Sequence, residues 1–522
     1  MMRHILSTLP PELWSRIIEQ LPPLERQACL SVSRMFHDLS MPLVFSHVHI
    51  TYGIPSDCKL LSKIVNPHDS PPLGKANIRT ERARAAKATS EFLQYVAATP
   101  ELARMVKTLS VRAISLSPES VDCGFQADLV NALKALTNLQ SFHWRGNSPY
   151  IPEAAIDAII ESGAPLTEVV IPLWNPAATA LSRLKNLQAI WMPIDLNIEL
   201  PEERIREPSS KENPRIIIQA NAETLRVLSV HGPVSRWKVP VESLVNLTEF
   251  ECIWFDGDFS FLASLFDQCA QLRSLTLGVG PEDLLRGGIT AVLRSRPSSL
   301  PLLTAFKISL DSFNRSHAVA LVRAMTAFLA TKASLRRLDV NITGIDEKAH
   351  GLDPAKCPSV EVLQLLPSLP ELEVLGLYFS RMFFTTADFD LLNESIPLGL
   401  TALFLNLKIR KIYDVRPGLF ADFFKKRKRL QYLQIVDEGQ KLVESFDELR
   451  TMCPRTVELI GYGNGHSNKM HWTVPNVAGQ EHGVELASAW SDMQLWFHTV
   501  DDFAGHEDWE WLVRHRDSDL MP

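Results

Sequence analysis

Hydrophobic positions in this chain follow two rhythms. Over the first fifty residues the spacing is helical: Leu13, Ile17 and Leu21 recur every fourth position and share one helix face. Pro10 and Pro11 stand where a first helical turn tolerates them, because the N–H groups there have no intrahelical partner. Pro22 and Pro23 stop that helix, and a second apolar series follows at Leu24, Ala28, Val32, Phe36 and Leu39. A module this small exposes apolar surface unless something covers it. From about residue 106 the rhythm tightens into one repeated phrase, L-x-x-L-x-L, in which alternate apolar residues mark a short strand. It occurs at Val106-Leu109-Val111, Leu139-Phe142-Trp144, Leu166-Val169-Ile171, Leu187-Ile190-Met192, Leu225-Leu228-Val230, Leu247-Phe250-Cys252 and Leu272-Leu275-Leu277. It continues at Leu303-Phe306-Ile308, Leu335-Leu338-Val340, Leu372-Leu375-Leu377, Leu400-Leu403-Leu405, Leu430-Leu433-Ile435 and Val457-Ile460-Tyr462. Starts lie 21 to 38 residues apart, enough for a helical or irregular return between parallel strands stacked as a solenoid. An ordinary α/β domain whose buried strands share a pattern is the alternative.

The returns predict helices at 153–162, 259–269, 317–331 and 387–394, the last with Thr386 as N-cap. Val360-Leu363-Leu365 also fits the phrase but starts only 12 residues before Leu372, too little chain for a return. The prediction is a helix at 359–366 and a strand at 372–377. Residues 51–79 predict a loop, with a helix at 80–98, and residues 201–214 predict a charged, Pro-bounded mobile insertion. The final sixty residues hold five of the eleven Trp and six of the fifteen His. A terminal repeat cannot leave its apolar edge bare, so this segment predicts a cap.

Composition narrows the function classes. Of 522 residues 46% are apolar and 22% charged, as in a globular protein, and the formal charge of −7 argues against a nucleic-acid binder. No apolar run reaches membrane-spanning length, and no secretory pattern opens the chain, so neither membrane nor secretory pathway is expected. Seven cysteines with no Cys-x-x-Cys pair argue against both a disulfide framework and zinc, and suit cytoplasm or nucleus. Histidines of the tail lack ligand spacing, and no phosphate loop, dinucleotide fingerprint or nucleophile elbow occurs. No cofactor, metal or catalytic residue is therefore expected. The run Lys425-Lys426-Arg427-Lys428-Arg429 reads either as an import signal or as the cationic end of a helix.

The spelling LPPELWSRIIEQLPPLERQACLSVSRMFHDLSMPLVF resembles an F-box. The family's Leu-Pro-x-Glu-Leu opening stands at Leu9, Pro10, Glu12 and Leu13, followed by Ile17, then Leu21 closing the first helix. Val-Ser-Arg and an aromatic stand at Val32, Ser33, Arg34 and Phe36, where the family more often has Trp. The resemblance covers about one tenth of the chain. It implies docking onto the small adaptor of an SCF-type cullin–RING ubiquitin ligase through Leu9, Pro10, Leu13, Ile17, Leu21 and Phe36. The alternative is that these helices merely cap the repeats.

The repeated phrase resembles leucine-rich repeats, and Cys269, Cys357 and Cys453 before three strands resemble the Cys-Pro-x-Leu junction of F-box leucine-rich-repeat proteins. A small buried thiol at a tight junction explains them without reactivity. The implied fold is α/β: a three-helix F-box, then an irregular leucine-rich-repeat solenoid (a horseshoe) with short parallel strands. The organisation is F-box at 1–50, linker loop and helix at 51–100, repeats at 101–462 and a Trp/His-rich cap or tail at 463–522. The overall style resembles the expanded F-box families of filamentous fungi.

Alternation turns His143, Arg145, Trp191, His231, Glu249, Glu251, Lys307, Arg337, Asp339, Tyr378, Phe404 and Tyr432 to the concave side as target-binding candidates. The function this implies is a non-catalytic substrate receptor with an adaptor, through it a cullin, and an unknown protein target as partners. Two rivals are an adaptor-binding scaffold outside a ligase and an enzyme with a site in the repeats or tail, for which the sequence offers no catalytic set.

Overall fold

The computed structural model describes residues 9–19, 21, 23–52, 75–114, 123–148, 150–172, 178–193, 209–231, 239–255, 259–279, 287–311, 315–343, 358–413, 419–437, 449, 451–463, 470–473, 503 and 506–514. The chain divides into two compact units, Met1–His231 with Arg236–Val239, and Gly232–Ser235 with Pro240–Pro522.

The first unit opens with three helices, α1 (Pro11–Glu19), α2 (Pro23–Cys29) and α3 (Arg34–Val44). The second apolar series is thus two helices. Ser33 breaks it: its extended backbone leaves the helical conformation, and its hydroxyl accepts from the Phe36 N–H as the N-cap of α3. There follow β1 (His47–Tyr52), α4 (Lys75–Ala98), α5 (Pro100–Met105), β2 (Thr108–Ile114), α6 (Cys123–Ala135), β3 (Ser141–Ser148), α7 (Glu153–Ser162) and β4 (Glu168–Val170). Then come α8 (Ala178–Leu181), β5 (Ala189–Met192), α9 (Ser209–Ala220) and β6 (Val227–His231). All six strands pair in parallel, each with its sequence neighbour. Strand β1 was not expected, although Phe45, Val48 and Ile50 spell the same phrase; it hides at the end of the helical module. Helix α9 begins inside the stretch expected to be a mobile insertion and carries Pro214 within it; residues 201–208 lie outside the described residues.

The second unit repeats the plan: β7 (Glu249–Phe255), α10 (Phe259–Gln268), β8 (Ser274–Val279), α11 (Gly288–Ser295), β9 (Ala305–Asp311), α12 (Arg315–Leu329), β10 (Arg337–Thr343) and α13 (Pro358–Leu365). It continues with β11 (Val374–Phe384), α14 (Thr386–Ser395), β12 (Ala402–Ile412), α15 (Leu419–Lys426), β13 (Tyr432–Asp437), β14 (Leu459–Gly463), β15 (Met470–Thr473) and α16 (Glu507–Val513). Strands β7 to β14 are parallel; among the described strands β15 alone runs antiparallel, on β14. The ambiguous segment at 359–366 is helical and the strand follows it, as spacing required. The N-cap of α14 is Thr385 rather than Thr386, because Thr385 and Asp388 form a reciprocal capping box.

One backbone device sets the register inside each unit. The carbonyl just before a strand accepts two successive N–H groups from the next repeat. Lys107 accepts from Gln140 and Ser141, Gln140 from Thr167 and Glu168, and Thr167 from Gln188 and Ala189. In the second unit Thr248, Arg273, Thr304, Arg336, Glu373, Thr401 and Gln431 do the same in turn. The phrase residues then face the helices: Phe306 meets Phe328 of α12 at 6.2 Å, and Phe266 of α10 stacks on Phe328 at 5.6 Å. Gly146 allows β3 to shift register against β2, since a side chain there would run into the Ala113 carbonyl at φ 95°.

A second device closes the helix ends. Carbonyls left over where a return meets its strand are reached by a side chain from the following repeat. Asn221 donates to the Leu184 carbonyl at 3.0 Å and accepts from the Leu187 N–H at 3.0 Å. Cys269 donates to Leu244, Lys332 to Pro297 and Ser299, and Arg427 to Asn393 and Ile396. Burial pushes the Cys269 thiol up to about 11 and the Cys453 thiol up to about 12, so both are poor nucleophiles, in keeping with a packing role. Cys357 lies outside the described residues. Arg427 is fully buried with its guanidinium 3.5 Å over the Phe423 ring, so the centre of the basic run is structural and only its flanks face water.

Removing either donor leaves carbonyls buried without a partner, so Asn221→Ala and Arg427→Leu should each cost about 2–4 kcal/mol, while Lys425→Ala should cost under about 0.5 kcal/mol. Denaturant midpoints of the full chain, compared at equal slope, would show the contrast; equal midpoints for all three would refute the account.

Candidate docking surfaces

The N-terminal helices divide their apolar residues between two directions. Ile18 is fully buried and Trp14 packs on Phe36 at 5.0 Å, holding α1 against α3. Leu13 and Ile17, on the outward side of α1, stay 43% and 42% exposed, and Val32 and Met35 are exposed as well. Of the expected contact residues, Pro10 is exposed, Leu9 and Leu21 are half-buried, and half-buried Phe36 is engaged with Trp14. Val32 belongs to the quoted motif and Met35 was not singled out, yet both are exposed apolar side chains like Leu13 and Ile17.

On the side of the first unit's sheet away from its helices, register places His49, Ser110, His143, Val170, Trp191 and Ser229 in one row, with Arg112 beside Arg145 in the next. Arg145 and Trp191 are half-buried there, and His231 is buried. Glu168 stands 3.7 Å from the His143 ring and accepts from the Ser141 hydroxyl at 2.9 Å. Burial alone would raise the Glu168 carboxyl, but His143 and, to a smaller extent, Ser141 and Trp191 outweigh it and hold it below the usual carboxylate range.

The second unit differs from expectation. Its far face was to be open to a target, and instead α16 lies across it. Glu251, Lys307, Asp339, Tyr378, Phe404 and Tyr432 are buried, Glu249 is half-buried, and Arg337 is engaged rather than free. Trp509 stacks on Tyr432 at 5.1 Å, and His506 stacks on Trp509 at 4.0 Å. Ala305, Val374, Ala402, Phe404, Tyr432, Val436 and Leu459 form one apolar cluster with Phe503, Trp509, Trp511, Leu512 and Val513. Lys307 donates to the carbonyls of Trp511, Leu512 and Arg514, pairs with Asp339 at 3.2 Å and sits 4.8 Å from the Trp511 ring centre. At the other end Arg336 and Arg337 converge on Asp508 at 2.7 and 2.6 Å. Arg514 bonds Glu251 at 2.9 Å and Glu510 at 2.6 Å; burial opposes its charge, but these carboxylates outweigh that and hold it well above its ordinary value. Burial and the like charge of Glu251 push Glu249 up.

Two described elements lie in the segment expected as a cap or tail: β15 pairs with β14, and α16 lies on the sheet face. Only the Trp-rich composition hinted at this; which face it would meet lay beyond a local pattern. Among the described residues no group of three His, Cys, Asp or Glu could hold a metal, and no helix is long and apolar enough to cross a membrane.

The chain thus begins with three short helices that carry exposed apolar side chains, and parallel strand-and-helix repeats follow. Residues 6–45 match the family model of the F-box domain. An F-box is an adaptor-binding module of SCF-type ubiquitin ligases, and F-box proteins are generally non-catalytic. The match covers this module alone, and nothing among the comparisons supports the expected resemblance to fungal families. No curated protein matches the chain. Among solved structures, a protein of Bacteroides fragilis aligns at 13% identity over 48% of this chain and 64% of its own, with a TM-score of 0.26. The chain spans less than two thirds of that protein.

Two tests follow. Ile18→Ala should loosen the helical module by about 2–4 kcal/mol, whereas Leu13→Ala should stay within about 1 kcal/mol; hydrogen exchange of residues 11–44 would rank them, and the reverse ranking would refute the assignment of faces. Because the folded Glu168 value is lowered, its contribution is present above the ordinary carboxylate range and fades as pH falls through the folded value. Glu168→Gln should therefore narrow the stability gap between about pH 6 and about pH 3, read as urea midpoints, and an unchanged gap would count against it.

Proposed function

We propose that the chain is a substrate receptor of an SCF-type cullin–RING ubiquitin ligase. The F-box docks the adaptor, and the repeats hold a target protein. The observation that carries this reading is the F-box match over residues 6–45 together with the exposed Leu13, Ile17, Val32 and Met35. An apolar helix face of this kind suits helix-in-groove docking, where burial of a few aliphatic side chains supplies the affinity. The receptor makes no covalent intermediate. Its contribution is proximity: a bound target has its lysines at high effective concentration near the charged ubiquitin carrier.

Arg145 and Trp191 on the far face of the first unit are the target-contact candidates of this reading, since both are half-buried rather than buried. Cytoplasm or nucleus is the compartment this reading requires.

The test is a pull-down of the full-length protein from a eukaryotic lysate, blotted for adaptor and cullin, beside Leu13→Asp/Ile17→Asp and Leu9→Ala/Pro10→Ala variants. Wild type should recover both proteins and the variants should lose both by tenfold or more, on the order of 1.4 kcal/mol or above. Adaptor without cullin would favour a scaffold outside a ligase. Recovery of neither by wild type would sink the reading and leave the helices as a cap.

A further inference from the structure

Helix α16 is seven residues long, Glu507–Val513, and a helix of that length does not persist in water by itself. It is ordered by the face it meets. The contact has the anatomy of a recognition interface: apolar anchors in the middle, Trp509 and Trp511 against Tyr432, Phe404 and their neighbours, and ion pairs around them. Ion pairs and hydrogen bonds tie both ends of the helix to the sheet. Asp508 in the first turn lies between Arg336 and Arg337, the trailing carbonyls are gathered by Lys307, and Arg514 reaches Glu251.

The face under the helix also differs from a permanent core. It carries Glu249, Glu251, Lys307, Arg337 and Asp339 at strand positions turned away from the sheet's own helices. Ionic side chains add little to a layer that is always dry, because desolvation offsets their attraction. They suit a face that stands in water at one time and meets a complementary partner at another.

We propose that the far face of the second unit is a receptor site for a short helical segment with an acidic first turn, two tryptophans two residues apart and a trailing arginine. The chain's own Glu507–Arg514 occupies it as an internal ligand, and an external polypeptide of the same chemistry displaces it. Calling that external segment part of a ubiquitylation target rests on the receptor reading; the site itself does not.

The probe is a fluorescein-labelled synthetic peptide spanning residues 503–516, titrated into the full-length protein and into full-length Asp508→Lys, in which a lysine faces Arg336 and Arg337. The variant should bind the peptide at least about tenfold more tightly than wild type, since its own helix competes less. Adding Lys307→Glu should abolish that binding. In wild type, hydrogen exchange should show residues 509–513 opening while strands β9 to β12 stay protected. Equal peptide binding by wild type and variant, or exchange of 509–513 only together with those strands, overturns the proposal and makes the helix a fixed part of the core. Adaptor recovery that persists while the peptide fails removes only this proposal; peptide binding without adaptor recovery removes only the receptor reading.

Discussion

Everything in the two units depends on one backbone carbonyl per repeat. Placed just before its strand, it accepts two N–H groups from the next repeat, as Thr304 does from Arg336 and Arg337. A strand-and-helix unit of this length cannot bury its own apolar face, so stacking on a neighbour is its route to a core. The shared carbonyl fixes which residues meet. A slip of one residue would turn Phe306 away from Phe328 and carry Lys307 into the core. The junction donors complete the stack. Asn221, Cys269, Lys332 and Arg427 differ in chemistry, yet each satisfies carbonyls the preceding return leaves open.

That arrangement fixes what remains for function. With the phrase residues committed to the helices, the other strand face is free to carry polar and aromatic side chains. The first unit keeps histidines, paired arginines and Trp191 there. The second unit fills the same kind of face with α16, burying Lys307 and Asp339 as an ion pair that would be costly without the carbonyls gathered around Lys307. Among the described residues nothing buries the outward side of α1, and Leu13 and Ile17 stay exposed. The proposed docking site is made of these exposed apolar side chains.

The sequence by itself determined the local elements. Thirteen phrases with room for a return between them became strands, and the same phrase at 360–365 became a helix because 12 residues cannot hold a strand and its return. The N-terminal motif was legible because its spelling is specific, and the family match at residues 6–45 agrees with it. Ser33 was in plain view as a break between two helices, but apolar spacing ran across it. Tertiary structure alone decided what covers what. Alternation says that Lys307, Phe404 and Tyr432 point to one side of a strand; it does not say that a helix far along the chain will lie there. Burial is a property of distant segments brought together, and the pairing of Arg336 with Asp508 or Arg514 with Glu251 leaves no trace in the spacing of either segment.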